Sequence, residues 1–263
     1  MAGSPSDVTW ETKKILIIGR ASPEPSKKHV ETVCTGGITE NGELLRLYPI
    51  PYRQLQAEQQ YKLWTWASFE VCKDTRDKRK ESHKVREGSI RVLSQVKQKA
   101  EQFSLLSGGI APSLEELRRK YKLDWTSLGI IEIEFLEFSA KLQSKSWEKD
   151  KPHIRQFHLF AKVRPLEPLP VEMRLRFRCK GSAECKTHDC MLLGWEYMAA
   201  FRRFRQDYGG SEQALERISA MMIDRFSDQT KRPLALVGTH FKHPSWMVAQ
   251  LYWFDKNLNR RLF

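Results

Sequence analysis

Two segments of the chain alternate strictly between apolar and polar residues, and this period of two constrains the fold more than any other feature. In LGIIEIEFLEF (128–138), Ile131, Ile133 and Phe135 fall on one side and Glu132 and Glu134 on the other. In VEMRLRFR (171–178), Val171, Met173, Leu175 and Phe177 alternate with Arg174, Arg176 and Arg178. Successive strand side chains point to opposite faces, so each segment reads as a strand with one face on a core and one in water, the habit of antiparallel sheet.

Other segments fit the same scheme. KKILIIGR (13–20) reads as a buried strand, and the two prolines of ASPEPSKKH (21–29) mark a loop. Asn41-Gly42 supplies a hairpin turn between extended stretches, so 30–50 is expected to form two antiparallel strands. LWTWASFEVCK, LALVGTH and WMVAQLYWF complete the strands. Helices are expected over 54–62, over 113–123 with Ser113 as cap, over 191–206, and over 211–227 with Ser211 as cap and Leu215, Ile218, Met222 and Phe226 on one face. This order predicts an α+β protein with mostly antiparallel sheet, in two β-rich halves with helices packed on them. The halves are 10–142 and 171–263, and the proline- and charge-rich stretch 143–170 connects them.

Charge narrows the function. The chain of 263 residues has 45 Lys and Arg against 32 Asp and Glu, a net +13, which draws polyanions to its surface. The excess divides almost evenly between residues 1–130 and 131–263, so it belongs to the folded body and not to a tail. Nucleic acid is the expected partner, DNA ahead of RNA; a membrane surface or an acidic protein is the alternative reading of the charge. The basic run RDKRKESHKVREGSIR (76–91) reads as a solvated loop or a phosphate-contacting arm. Five cysteines, an odd number, argue against a secreted disulfide scaffold. No apolar run approaches the roughly 18 residues of a membrane span, and a cytoplasmic location with no membrane partner is expected. GRASPEPSK lacks the ending of a P-loop and no G-x-G-x-x-G follows a strand, so no nucleotide cofactor is expected. The deaminase signature, the G-x-S-x-G elbow and H-E-x-x-H are missing too.

CKGSAECKTHDC (179–190) gathers three of the five cysteines and one of seven histidines. Cys179, Cys185, His188 and Cys190 have the donor types of a closed structural zinc shell. The spacing is unusual for zinc, and two other readings stand beside it: reduced cysteines in a loop, or a fourth ligand from His240 or His243. Asp189 is a candidate to hold a ligating imidazole.

Candidate nucleic-acid contacts follow the charge. Arg174, Arg176 and Arg178 recur about every 6.6 Å along one strand face, a pitch that follows a phosphate backbone; neutralisation by Glu132 and Glu134 on a neighbouring strand is equally expected. Arg202 and Arg203 sit late in a helix, where they also complement its dipole. Lys27 and Lys28 lie in the proline loop. In GTHFKHPSW (238–246), Lys242 is suited to meet a phosphate and Trp246 to stack on a base, unless Trp246 begins the core face of the last strand. The candidate catalytic residues are Glu31, Glu196, His240 and His243; a carboxylate in a basic, partly apolar site can serve as general base or stabilise an oxocarbenium-like centre. Glu70 with Lys73, and Glu132 with Glu134, only weakly suggest a metal-dependent nuclease.

The phrases VCTGGI (33–38), LRLYPIP (45–51), LGWEYMAAFRR (193–203) and LVGTHFKHPSWMV (236–248) resemble those of an uncharacterised bacterial family of hypothetical proteins. The resemblance spans most of the chain and implies a defence-associated setting, with phage or foreign DNA as target, but assigns no catalytic residue. The expectation is therefore a DNA-acting bacterial protein, an enzyme of base-excision or strand-cleaving type aimed at foreign or modified DNA. The alternative is a non-catalytic module reading modified or structured DNA or RNA.

Overall fold

The computed structural model describes residues 9–26, 28–29, 31–143, 171–241 and 243–258. The first sheet contains β1 (Glu11–Arg20), β2 (Glu24–Pro25), β3 (Glu31–Thr39), β4 (Leu44–Ile50), β5 (Thr65–Lys73), β6 (Ser82–Val85) and β7 (Arg91–Gln95). Its order is β1-β3-β4-β6-β5-β7, and β1 also pairs with β5, so the sheet closes on itself. Helix α1 (Lys99–Ser107) follows.

The second sheet has the order β11-β10-β9-β12-β13, with β8 (Ile110–Ala111) beside β9 (Leu128–Leu142). Its other strands are β10 (Val171–Cys179), β11 (His188–Met191), β12 (Lys231–Thr239) and β13 (Trp246–Asp255). Helices α2 (Leu114–Asp124), α3 (Trp195–Asp207) and α4 (Ser211–Ser227) complete the chain. The fold is α+β with mostly antiparallel sheet, as the alternation predicts.

Three apolar layers explain the sequence runs. Ile15 and Ile17 point into the closed sheet with Leu45, Leu47, Phe69 and Val71. Leu16 and Ile18 point the other way, onto Ile130, Leu234, Leu236, Tyr252 and Phe254 of the second sheet. The unbroken ILII run is thus a strand buried on both faces. On its far side the second sheet presents Ile131, Met173, Leu175, Phe177, Ala235 and Val237 to helices carrying Leu117, Tyr197, Phe201, Ile218 and Met222. The sheets meet most closely at Leu236: a Cβ built on Gly19 would lie 2.6 Å from its Cδ2, and one on Gly36 3.0 Å. Two glycines on neighbouring strands form the notch that seats it.

Several expectations are corrected. Strand β9, assigned to the first half, hydrogen-bonds to β10 and β12 and so belongs to the second sheet. Residues 54–62 form two 3-10 turns, Tyr52–Gln54 and Ala57–Gln59, in place of a helix. The basic run 76–91 contains β6 and buries Arg79, Glu81, Ser82 and His83. Ser211 is the first residue of α4; the cap position is Gly210, with no side-chain cap bond. The connection 144–170 lies outside the described residues.

Candidate functional site

The turn after β10 folds back as the short strand β11, and Gly181 in that turn approaches Pro112 so closely that a Cβ there would meet the Pro112 carbonyl oxygen at 2.4 Å. This close approach brings the hairpin against the start of α2. There Ser113 caps the helix by accepting from the Glu116 N–H, and Glu115 sits in the first turn. Glu115, Cys179, Cys185 and His188 then converge, their donor atoms all within 4.8 Å of one another.

Individual separations are tighter. His188 Nε2 lies 3.1 Å from Glu115 Oε1 and 3.3 Å from Cys185 Sγ. A tetrahedral shell with arms of about 2.0–2.3 Å has edges of roughly 3.3–3.8 Å; these two separations are close to that spacing, and the others stay within 4.8 Å. The Leu114 N–H donates to Cys179 Sγ at 3.3 Å and the Cys179 N–H to Cys185 Sγ at 3.0 Å. Such bonds favour thiolate sulfur. Glu115 Oε2 is buried with no hydrogen-bond partner among the described residues, a lone pair left for a ligand. Burial pushes the Cys179 thiol up to about 12, against the Leu114 N–H. Burial lowers His188 although Glu115 opposes it. Burial would raise Glu115, but its own backbone N–H, that of Lys186 and the nearby His188 hold it below the usual carboxylate range. The donors fit a metal, and metal binding there must displace thiol protons.

This cluster corrects the expected ligand set. Cys190 stands outside it, buried in the helix-facing core. The fourth donor is Glu115, which in sequence reads only as a dipole-complementing residue of a helix. His240 and His243 do not join either; their rings stack on each other with centroids 5.6 Å apart. Asp189 holds Arg174 at 2.8 Å and not an imidazole.

A second constellation joins the two sheets. After β1 the chain bonds to the segment leading into α3, with Ala21 bridged to Gly194 and the Ser22 N–H donating to the Leu193 carbonyl. A Cβ on Gly194 would strike the Ala249 carbonyl oxygen at 2.8 Å, so glycine is what lets this segment lie against β13. The first turn of α3 is thereby fixed between the halves. The Arg20 guanidinium sits 5.0 Å from the ring centroids of both Tyr52 and Trp195. It donates to the Tyr61 carbonyl at 3.1 Å and to Glu196 Oε1 at 2.8 Å.

Glu196 Oε2 is buried with no partner among the described residues. Glu196 also lines a cavity of about 620 Å³ at the open edge of β13, with Trp64, Lys99, Arg225, Gln250 and Tyr252. Among the candidate catalytic residues the fates differ: Glu31 is buried and receives Arg53 Nη1 on both oxygens at 3.1 Å, whereas Glu196 has one oxygen fixed and one unmatched beside a cavity.

The candidate nucleic-acid contacts separate as well. Arg176 is neutralised by Glu137 at 2.5 Å and Arg174 by Asp189 and Glu172. Arg178 faces Glu134 across the β9–β10 ladder. Glu132 instead holds Lys180 and Arg232. Two of the three arginines are thus neutralised internally, but by Glu137, Asp189 and Glu172 in place of the expected Glu132 and Glu134. Arg203 pairs with Asp207 within α3, and Arg202 is partly buried there. Lys28 is exposed, while Lys27 and Lys242 lie outside the described residues. Of the two readings of Trp246, the core one holds: it begins β13, is 7% exposed and packs edge-on to Tyr121, so it does not stack on a base.

Other aromatics are exposed, among them Tyr48, Trp125, Tyr208 and Phe241. Trp125 is 42% and Phe241 62% exposed. Lys78 Nζ lies 5.3 Å from the Trp125 ring centroid and the Arg79 guanidinium 5.5 Å from that of Phe241. Trp125 caps α2 with φ of +62°, a left-handed conformation unusual for so bulky a residue. The loops are locked together, since Arg79 donates to the Thr239 carbonyl at 2.8 Å and the Lys80 N–H to that of Trp125 at 3.0 Å. The signal available in sequence was the combination of aromatics with the basic run 76–91, which only the fold brings together.

The fold and its constellations define an α+β protein in which a closed sheet and a two-faced antiparallel sheet are joined by an Arg20–Glu196 contact, with a Cys/His/Glu cluster at one corner. The chain belongs to the family described as domain of unknown function DUF8757, whose model matches residues 111–263. A second model, domain of unknown function DUF8758, matches residues 11–107. No curated protein matches the chain. Among the described residues no helix is long and apolar enough to cross a membrane.

Proposed function

We propose that the protein is a bacterial DNA-processing enzyme directed at foreign or modified DNA, acting in the cytoplasm. The observation that carries the reading is the loop face on which Trp125 and Phe241 stay exposed with Lys78 and Arg79 against their rings. Bases stack on exposed aromatic faces while an exposed cation such as Lys78 meets a phosphate, and each stacked base contributes about 1–3 kcal/mol; Arg79, buried and paired with Asp77 at 2.7 Å, holds the loops in place. The net charge of +13 supplies the long-range attraction, and the defence setting that the resemblance to bacterial sequences implies is the ground for the choice of target.

Base excision is favoured over strand cleavage. Glu196 lies at a cavity within the size range of small-ligand sites, and is the acting carboxylate of this reading. The metal cluster is rich in sulfur, a donor set suited to zinc and not to the hard cations of most strand-cleaving sites. Zinc in this reading is structural and ties the β10–β11 hairpin to α2.

Incubating the protein with modified and unmodified DNA, with and without chelator, and assaying abasic sites and nicks tests the proposal. Abasic product that survives chelation and is lost in Glu196→Gln supports base excision; chelator-sensitive nicking assigns strand cleavage instead. Tight, salt-sensitive binding without product leaves the second reading, a non-catalytic module for structured DNA or RNA, which the same exposed aromatic face favours.

A further inference from the structure

The cavity at the edge of β13 contains more unmatched polar groups than its depth in the molecule explains. Gln250 is only 6% exposed, and its amide nitrogen donates to the Leu251 carbonyl at 3.2 Å. Its Oε1, like Glu196 Oε2, is buried with no donor among the described residues. Trp253, which also lines the cavity, has an indole N–H with no acceptor among them. Buried polar groups are almost always paired, and those that are not mark the place of a water, an ion or a ligand.

The chemistry of the missing partner follows. Two acceptors call for N–H or O–H donors, whereas the Trp253 indole lies on the opposite, helix-facing side of β13 and takes no part in the same contact. Trp64 and Tyr252, whose ring centroids are 5.3 Å apart, give the cavity an aromatic wall, and its rim is mixed in charge, with Lys99, Arg225 and Lys231 beside Asp224 and Asp228. A planar heterocycle carrying an amino group, stacked on the aromatic wall with that group toward Gln250 and Glu196, matches these features.

We infer that the β13-edge cavity receives a single nucleobase bearing an exocyclic amino group, with Gln250 Oε1 as the specificity-determining acceptor beside Glu196. This inference rests on the nucleic-acid reading above and names the class of base that the site selects. Adenine, cytosine and guanine present an amino group next to a ring acceptor; thymine and uracil present carbonyls there. Thymine and uracil offer only the single ring N3–H as a donor there, so a site built around two acceptors leaves one of them unpaired when thymine enters, and discriminates against it accordingly.

Titrating the intact protein with deoxyadenosine, deoxycytidine, deoxyguanosine and thymidine, followed by tryptophan fluorescence, is the test. At least one amino-bearing nucleoside is expected to bind about tenfold or more tightly than thymidine. Gln250→Leu brings the two within about twofold, whereas Gln250→Glu, which keeps an acceptor oxygen, preserves the preference. Equal binding of thymidine, no binding of any nucleoside, or an unchanged preference in Gln250→Leu overturns the inference. Should Gln250→Leu fail to fold in a melting experiment, the wild-type preference and the Gln250→Glu variant decide. A single-stranded oligonucleotide titrated into the same samples separates the two claims. Oligonucleotide binding without nucleoside preference rejects only this site, and absence of both rejects the nucleic-acid reading as well.

Discussion

Glu115 is the residue that turns a cysteine-rich turn into a four-donor cluster. Purified protein is expected to hold about one metal ion per chain, read by mass spectrometry. Cys179→Ser and Glu115→Gln lower that occupancy and Cys190→Ser leaves it intact; retention in the first pair with loss in the third would reverse the assignment. Loss of a buried ligand in this way is expected to cost about 2–4 kcal/mol in a denaturant titration. Three of the four donors were legible in the sequence because they lie on one hairpin. Glu115 was not, because only the packing of Gly181 on Pro112 brings α2 to the turn. His83 gives a separate test. Burial, its largest influence, holds this imidazole below the ordinary 6.5, so below that pH the unfolded chain takes up a proton that the folded one resists. The stability from neutral His83 is present above the ordinary value and lost as pH falls through it. Melting temperature should therefore decline from pH 7.5 to pH 5.5, and His83→Gln should flatten that decline; an unaltered profile would show that other groups set it.

Elements meet here through close approaches that single methyl groups can break. Gly181→Ala places a carbon against Pro112 backbone, which cannot swing aside as a side-chain end can. It should cost about 1–3 kcal/mol and lower metal occupancy, and full occupancy would mean the hairpin has another way to reach α2. Leu236→Ala empties the notch between Gly19 and Gly36 and should cost about 2–5 kcal/mol, read from the denaturant midpoint. A loss below about 1 kcal/mol would show that the sheets do not depend on it. At this scale the strands were the legible part. The alternation of 128–138 and 171–178 and the doubly buried ILII run each followed from one period or its absence. Helix α1 and strands β7 and β8 were missed. All five described residues of β7 are exposed and α1 has only three buried residues, so neither carries a strong apolar pattern.

For the whole molecule, charge was legible in amount and not in place. The arginine row 174–178 drew attention in sequence, yet two of its members are neutralised by Glu137, Asp189 and Glu172. The two exposed aromatics of the loop face and the cations beside them come from segments far apart in the chain, 76–80, 125 and 241, which no local pattern links; exposed Tyr208, with Arg217 4.4 Å from its ring centroid, is a pair elsewhere. Trp125→Ala and Phe241→Ala, both on exposed side chains, should leave the melting temperature nearly unchanged. Each should weaken single-stranded DNA binding by about 1–3 kcal/mol. Preserved affinity in both would move the contact surface elsewhere. The most direct test of the central claim is the affinity for a labelled single-stranded DNA oligonucleotide, measured across salt concentrations. If nucleic acid is the partner, log affinity falls linearly as log salt rises, with a slope of about −0.7 for each phosphate neutralised. Undetectable binding, or an affinity independent of salt, would contradict it.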